Sequence, residues 1–392
     1  MRTTLSRARS ATTETYALSL VLCAVQPHRS WRCEIRYNSP VKRNGGGLCG
    51  GRNRAEGKLG GLSETSQAQF LQIQLDRQPN ALKILVRRAG CSVSENACSP
   101  VSDHLDRQVK ECRLPRLQLS FHTTFALKKS ELSRLLQVAA EVGLKGPIEE
   151  LMARTGFGNK KVGPVKSWAS RGGLIRNGEL TPEGELVLKY DPRLQSQTTA
   201  WFIHFNLSFG DQGLKTPPAA VADWGGWPYF VFAFRPQHPD FTEDDLVAEG
   251  AAVFEDKPNL IKSNFAYLLR AYTSTDALGA CRFITWNAAR NIYEGGEPDL
   301  PNPFLIGHIL SRLWERDFSG TTSVLSDDLS NHHMGMAAVL GIHPSAMQRI
   351  LDKLEGRSVV EQRRTVAPYQ LVRRWESPLV LLEKAYRDDQ SA

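Results

Sequence analysis

The stretch Val162–Leu186, VGPVKSWASRGGLIRNGELTPEGEL, decides the fold of the first organised part of this chain of 392 residues. Pro164 suits the first position of a helix, and Trp168 falls on the inner face of that helix. Two glycines then end the helix, and Asn177-Gly178 is a strong turn signal between two short strands. The stretch therefore predicts a helix followed by a hairpin.

Two more helices precede this stretch, because apolar residues recur at helical spacing over residues 130–142 and 147–154. The order helix, helix, turn, helix and hairpin is typical of a winged helix-turn-helix module. We therefore predict such a module over residues 120–195.

The candidate DNA-binding residues of this module lie on or near its third helix. The helical phase that buries Trp168 leaves three polar side chains outward, and two lysines lie just before the predicted helix start, where free backbone N–H groups favour a phosphate. These residues are Lys160, Lys161, Lys166, Ser170 and Arg171. The alternative is that the lysine pair lies in a solvated loop and that the module serves as a partner or dimer surface.

A second winged helix-turn-helix module is predicted over residues 326–387. Pro344 opens a helix over Ser345–Leu354, and residues 358–362 and 369–375 alternate as two strands. Arginine reads guanine and glutamine reads adenine when such a helix enters the major groove, and a wing tip commonly meets phosphate. The candidate DNA-binding residues are Ser345, Gln348, Arg349, Arg363 and Arg364.

Residues 196–325 predict a helical middle domain. Helical spacing recurs over Asn259–Tyr272 and Phe304–Phe318, and we interpret YFVFAF at residues 229–234 as a buried helix. His204 and His308 lie in apolar stretches and are interpreted as core residues. No catalytic arrangement of Ser, His and Asp and no ligand spacing for a metal stands out.

The net charge of +8 has an uneven distribution. Residues 1–119 hold 19 Lys and Arg against 9 Asp and Glu, whereas residues 120–392 hold 30 against 32. Within the latter, both predicted modules are basic, while residues 211–330 hold 9 against 17. The overall charge alone therefore does not predict a nucleic-acid partner.

Residues 1–119 carry six of the seven cysteines without a CxxC pair and are rich in Gly, Arg and Ser. We expect this segment to be a disordered extension, or to lie upstream of the true start of the protein. The apolar run over Tyr16–Val25 is a poor match to a signal peptide, and no run of 18 apolar residues exists. We therefore expect a cytoplasmic protein without a membrane partner.

Short motifs follow one another in a fixed order: FHTTF at 121–125, TG at 155–156, GLI at 173–175, LTPEG at 180–184, YDP at 190–192 and WFIHFNL at 201–207. In these motifs the chain resembles, from about residue 120 to about residue 386, the bacterial family catalogued as domain of unknown function 4007. Its members resemble the products of accessory genes that lie beside DNA phosphorothioation (sulfur-modification) genes and related defence genes. The resemblance implies work on or near DNA and supplies no catalytic residues.

We thus predict a mainly α-helical protein with two winged helix-turn-helix modules flanking a helical middle domain. The expected function is that of a non-catalytic accessory protein that binds double-stranded DNA in a DNA-modification or defence system, without cofactor or metal. The alternative is a scaffold that holds a sulfur-transfer or other DNA-modification enzyme without touching DNA. A third hypothesis, an enzyme, has no positive support in the sequence.

Overall fold

The computed structural model describes residues 114–391 except 297, 331, 333 and 366–368, together with the backbone of five strands between residues 18 and 88. The chain divides into two compact units, residues 1–100 and 101–392. The expectation for residues 1–119 falls mainly outside the described residues and stays a prediction. The five strands pair antiparallel as two sheets, β1-β2-β3 and β4-β5, with the bounds Leu18–Val25, Ser30–Tyr37, Glu56–Leu59, Leu71–Gln78 and Ala81–Arg88.

The larger unit is mainly helical, as predicted. Three helices and a two-stranded hairpin follow in the order predicted from the sequence. The fourth helix was not predicted: Thr181 caps a helix that begins at Pro182, where the sequence suggested that the hairpin continues. The elements are α1 (Lys129–Val142), α2 (Ile148–Thr155), α3 (Asn159–Arg171), β6 (Ile175–Arg176), β7 (Glu179–Leu180) and α4 (Pro182–Tyr190).

Helix α3 begins earlier than the sequence predicted. Pro164 lies inside the helix rather than at its first position, and Lys160 and Lys161 form part of the first turn. Pro164 is the sixth residue of the helix, beyond the first four N–H groups that have no internal partner, so the helix tolerates the loss of one hydrogen bond, to the Lys160 carbonyl, in its second turn. The prediction that the two lysines precede the helix was therefore wrong.

The middle of the chain is helical around an aromatic core, and it also contains a small sheet that the sequence did not predict. Strand β10 lies between β8 and β9 in this sheet. The strands have only two or three residues each, too few to show an alternating pattern. The elements are α5 (Gln197–Leu207), α6 (residues 226–237), β8 (Asp240–Phe241), α7 (Glu243–Val253), α8 (Pro258–Thr273), β9 (Thr285–Asn287) and β10 (Ile292–Glu294).

The stretch YFVFAF is a buried helical segment, as interpreted from the sequence. Its six residues, Tyr229–Phe234, form a π-helical turn inside α6, and all but Ala233 are buried. The wider turn suits a segment that is apolar on every side, because its rings contact neighbours all around the helix.

The last part of the chain joins helices to a three-stranded antiparallel sheet in the order β11-β13-β12. Helix α9 packs against α11, α12 and α13. Strand β11 was not predicted, whereas the helix and hairpin after it were. The elements are α9 (Pro303–Asp317), β11 (Ser323–Leu325), α10 (Ser326–Ser330), α11 (Met336–Val339), α12 (Met347–Gly356), β12 (Val360–Arg363), β13 (Gln370–Arg373) and α13 (Pro378–Ser391).

A chain of hydrogen bonds crosses the core. His204 Nε2 lies 2.8 Å from the carbonyl oxygen of Val339, and His204 Nδ1 lies 2.8 Å from Tyr272 Oη. Because a carbonyl only accepts, Nε2 carries the proton and Nδ1 accepts from the tyrosine hydroxyl. Trp227 Nε1 donates to the same hydroxyl at 2.9 Å. This chain ties α5, α6, α8 and α11 together and makes His204 a core residue.

The YDP motif fastens the end of α4 to the last helix. The Asp191 carboxylate accepts hydrogen bonds from the backbone N–H of Gln195 and Ser196 and from the Thr199 hydroxyl at 2.6–2.9 Å. The ring of Tyr190 stacks on that of Tyr386 with centroids 5.9 Å apart. These contacts indicate that the motif is structural.

Replacing Tyr272 with phenylalanine should lower the free energy of unfolding by about 1–3 kcal/mol, because the Trp227 N–H and His204 Nδ1 would lose their shared buried partner. Urea denaturation of the purified protein measures the change. Tyr267→Phe is the matched control, since that hydroxyl donates to the Thr124 carbonyl at an exposed position. Equal losses in the two variants would contradict a special role for the buried chain.

The stability of the protein should fall as the pH is lowered from 6.5. Burial lowers the pKa of both His204 and His308 from 6.5 to about 4. The unfolded state therefore binds more protons between pH 6.5 and 4, and stability present above pH 6.5 is lost across that window. Between pH 6.5 and 5.5 the two residues together should cost about 2 kcal/mol. Denaturation at both pH values tests this: the loss should halve in His308→Gln, and a flat profile would refute it.

Candidate nucleic-acid interface

Two lysines occupy the first turn of α3, and only one of them is free. Lys160 is exposed, and no described residue contacts its ammonium group through a hydrogen bond or an ion pair. Lys161 Nζ lies 2.7 Å from Glu131 Oε1 on α1 and 5.4 Å from the centre of the Phe157 ring. The carboxylate neutralises much of the charge that Lys161 would offer to a phosphate.

The three outward residues farther along α3 also differ from one another. Lys166 Nζ donates to the Leu144 carbonyl at 2.7 Å, so this side chain bridges two parts of the unit. Arg171 pairs with Asp211 at 2.6 Å, and its guanidinium lies 3.9 Å from the centre of the Phe121 ring. Ser170 is exposed, as predicted. Lys166 and Arg171, which the sequence predicted to lie outward, are thus half-buried and engaged within the protein.

The hairpin after α3 adds one cation that the sequence analysis did not select. Asn177 and Gly178 both have positive φ angles, as a tight two-residue turn requires. Arg176, beside this turn, is exposed and makes no side-chain hydrogen bond or ion pair with any residue that the structure describes. Lys160 and Arg176 are thus the cations on α3 and its hairpin that have no side-chain partner in the described part of the chain.

Helix α12 presents a different surface. Arg349 and Lys353 are four residues apart, so they lie one turn apart on one face, and both are exposed. Neither side chain has a hydrogen bond or an ion pair within the described part of the chain. Ser345 is exposed just before this helix, where its hydroxyl lies 2.8 Å from His343 Nδ1. Lys353 was missed, although its spacing from Arg349 was visible in the sequence.

The neighbouring face of α12 is closed by a network with the hairpin. Gln348 Nε2 donates to Asp352 Oδ1 and to Gln362 Oε1, each at 2.8 Å. The Gln348 and Gln362 amides, together with Arg364, hold the pKa of the exposed Asp352 carboxyl below its ordinary value. Gln348, a predicted base-reading residue, is therefore engaged within the protein.

The two wing arginines are both paired with carboxylates. Arg363 Nε lies 3.0 Å from Glu361 Oε1. Arg364 contacts Asp352 and lies 3.5 Å from Glu355 Oε2. Tyr369, at the start of the returning strand, is 51% exposed and was not selected from the sequence. Arg363 and Arg364 are thus exposed but compensated, whereas Arg373 at the end of β13 is exposed and has no side-chain hydrogen bond or ion pair among the described residues.

The histidines and the other possible metal ligands do not form a candidate site among the described residues. No group of three or more His, Cys, Asp or Glu side chains suited to a metal occurs among the residues that the structure describes. In the same residues, no helix is both long and apolar enough to cross a bilayer. His308, like His204, is buried and bonded to a backbone carbonyl, that of Pro378.

Comparison with known proteins found a likeness in structure alone. No family model and no curated protein matches the chain. Two crystal structures of SspB, one of them magnesium-bound, are similar to it with a TM-score of 0.53 and 16% sequence identity. Each match covers 71% of this chain, and 88% or 89% of the SspB chain. At this identity the likeness shows a shared fold, and the magnesium belongs to the SspB crystal.

Replacing Arg171 with alanine should destabilise the protein by about 1 kcal/mol, because the ring contact with Phe121 and the ion pair with Asp211 are both lost. Lys160→Ala, a cation on the same helix without these contacts, should stay within about 0.5 kcal/mol of the parent protein. Urea denaturation measures both variants. A fully stable Arg171→Ala protein would show that this side chain is available to a partner.

Proposed function

We propose that this protein is a DNA-binding, non-catalytic accessory protein of a bacterial DNA-modification or defence system. The observation that carries the proposal is the cation face of α12, formed by Arg349 and Lys353, which have no side-chain partner among the described residues and lie ahead of the β12–β13 hairpin. Such a helix contributes phosphate contacts that set position on the duplex, and Arg349 is placed to read a guanine if the helix enters the major groove.

The surrounding topology supports a winged helix-turn-helix module at this place. Helix α9 packs against α11 and α12, and α12 packs against strand β12 of a sheet in which β13 lies between β11 and β12. Because α9 packs against both α12 and α13, we include it in the module, which then extends over residues 303–387 instead of 326–387. This arrangement leaves one face of α12 open beside the wing.

The first module takes a smaller part in the proposed interface. On α3 and its hairpin, the cations without a partner among the described residues are Lys160, in the first turn of α3, and Arg176, at the hairpin turn. Three of its other candidate cations, Lys161, Lys166 and Arg171, already have partners within the protein. We therefore assign the main DNA contact to the second module.

The sequence resemblance supports the biological setting of the proposal. Residues 120–386 resemble a family found beside DNA phosphorothioation genes. The likeness to SspB concerns the fold and adds neither a setting nor a partner to the proposal.

The alternative function is that of a scaffold for a DNA-modification enzyme. The observation that favours it is the charge of residues 211–330, which hold 9 basic against 17 acidic side chains and would repel DNA but attract a basic protein surface. Copurification of a sulfur-transfer enzyme that survives nuclease treatment and the Arg349→Ala change would support the scaffold.

Removing the two free cations of α12 should weaken duplex binding and flatten its salt dependence. Each phosphate contact contributes about −0.9 to the slope of log K against log salt concentration. The slope of the Arg349→Ala, Lys353→Ala double variant should therefore be less negative than that of the parent by about 2. Fluorescence anisotropy with a labelled duplex of mixed sequence, at several salt concentrations, measures this.

The matched control is the Arg193→Ala, Lys257→Ala double variant, which removes one arginine and one lysine that are likewise exposed. This control should retain the parental slope. Equal slopes in the parent and the α12 variant, or no binding of the parent at low salt, would overturn the proposed function.

A further inference from the structure

The junction between α12 and the wing holds a dense polar network centred on Asp352. Its carboxylate accepts hydrogen bonds from Gln348 Nε2 at 2.8 Å and from Gln362 Nε2 at 3.1 Å, and it pairs with Arg364. Gln348 and Asp352 lie on α12, Gln362 lies on strand β12, and Arg364 directly follows this strand. The network therefore joins the two elements that the proposed interface would present together.

Glu355 has a different place in the same network. Its Oε1 accepts the backbone N–H of Gln362 at 2.7 Å, and its Oε2 accepts from Gln362 Nε2 at 3.1 Å. Its distance to Arg364 is 3.5 Å. Glu355 thus fastens the wing strand to the helix, whereas Asp352 is the carboxylate in close contact with Arg364.

This arrangement has an electrostatic consequence for Arg364. The guanidinium side chain is 44% exposed, so a phosphate has access to it. The neighbouring carboxylates, Asp352 and Glu355, carry negative charge. A DNA phosphate must take their place beside Arg364 before this contact can release counterions from the duplex and add to the binding free energy. Arg349 and Lys353 have no such competitor among the described residues.

We propose that Asp352 withholds Arg364 from the DNA backbone and so sets the affinity of the second module. This inference rests on the proposed function. Asp352 acts through Arg364 and is a positioning residue, not a contact to DNA. Duplex binding by the parent protein then depends on the two α12 cations, while the wing arginine stays paired within the protein.

Asp352→Asn separates this role from a purely structural one. The asparagine side-chain oxygen retains an acceptor for the Gln348 and Gln362 amides, so the wing stays attached while the charge that holds Arg364 is removed. The salt slope of duplex binding should steepen by about 0.9, and affinity at 0.1 M salt should rise about 3- to 10-fold. A purely structural role of Asp352 would lower affinity and leave the slope unchanged.

Two further variants complete the test by anisotropy with the same duplex. Asp352→Asn combined with Arg364→Ala should return the slope to the parental value. Asp244→Asn, which removes an exposed carboxylate paired with Lys262 in the acidic middle, makes the same change in net charge and should leave the slope unchanged. Thermal melting verifies that each variant is folded.

The outcomes distinguish this inference from the proposed function. Three results refute the withholding role, even if the α12 cations prove essential. The salt slope is unchanged in Asp352→Asn, or it steepens equally in Asp244→Asn, or it stays steeper when Asp352→Asn is combined with Arg364→Ala. If neither the parent nor Asp352→Asn binds duplex at low salt, the proposed function fails and this inference fails with it.

Discussion

The hydrogen-bonded chain from Trp227 through Tyr272 and His204 to the Val339 carbonyl is the constraint on which the arrangement of the larger unit depends. Its members come from four separate helices, and each donor has one acceptor at 2.8–2.9 Å. A buried polar group that lacks a partner costs more free energy than its hydrogen bond contributes. The four helices must therefore pack so that all these groups meet their partners, or the protein loses stability. The chain thereby fixes α11, which precedes α12 in the sequence, against the aromatic core.

Local patterns in the sequence predicted much of the helical framework. The helix predicted over Asn259–Tyr272 is observed as Pro258–Thr273, and the one predicted over Phe304–Phe318 is observed as Pro303–Asp317. These helices combine a proline at the start with an apolar stripe, and both signals are local. The short strands β8 to β11 left no comparable signal, because a strand of two or three residues is defined by its pairing partner.

Sequence patterns could not predict which residues pair with the candidate cations. Arg171 meets Asp211 forty positions later, and Lys161 meets Glu131 on another helix. Spacing along one helix predicts which side chains point outward, but not whether a neighbouring element brings a carboxylate to them. Lys353 is the opposite case, because its position one turn after Arg349 is local and was open to prediction.

The two modules illustrate how one local pattern gives two different surfaces. In the first, α1 and the segment around Asp211 approach α3, and Lys161 and Arg171 are paired within the protein. In the second, the carboxylates Asp352 and Glu355 lie on the same helix as the cations but on the face toward the wing. They compensate Arg364, while Arg349 has no partner among the residues that the structure describes. An exposed cation attracts a phosphate according to its local field, and an adjacent carboxylate removes most of that field over a few ångströms. The distribution of carboxylates, more than the number of basic residues, therefore decides which face of this protein is suited to a polyanion.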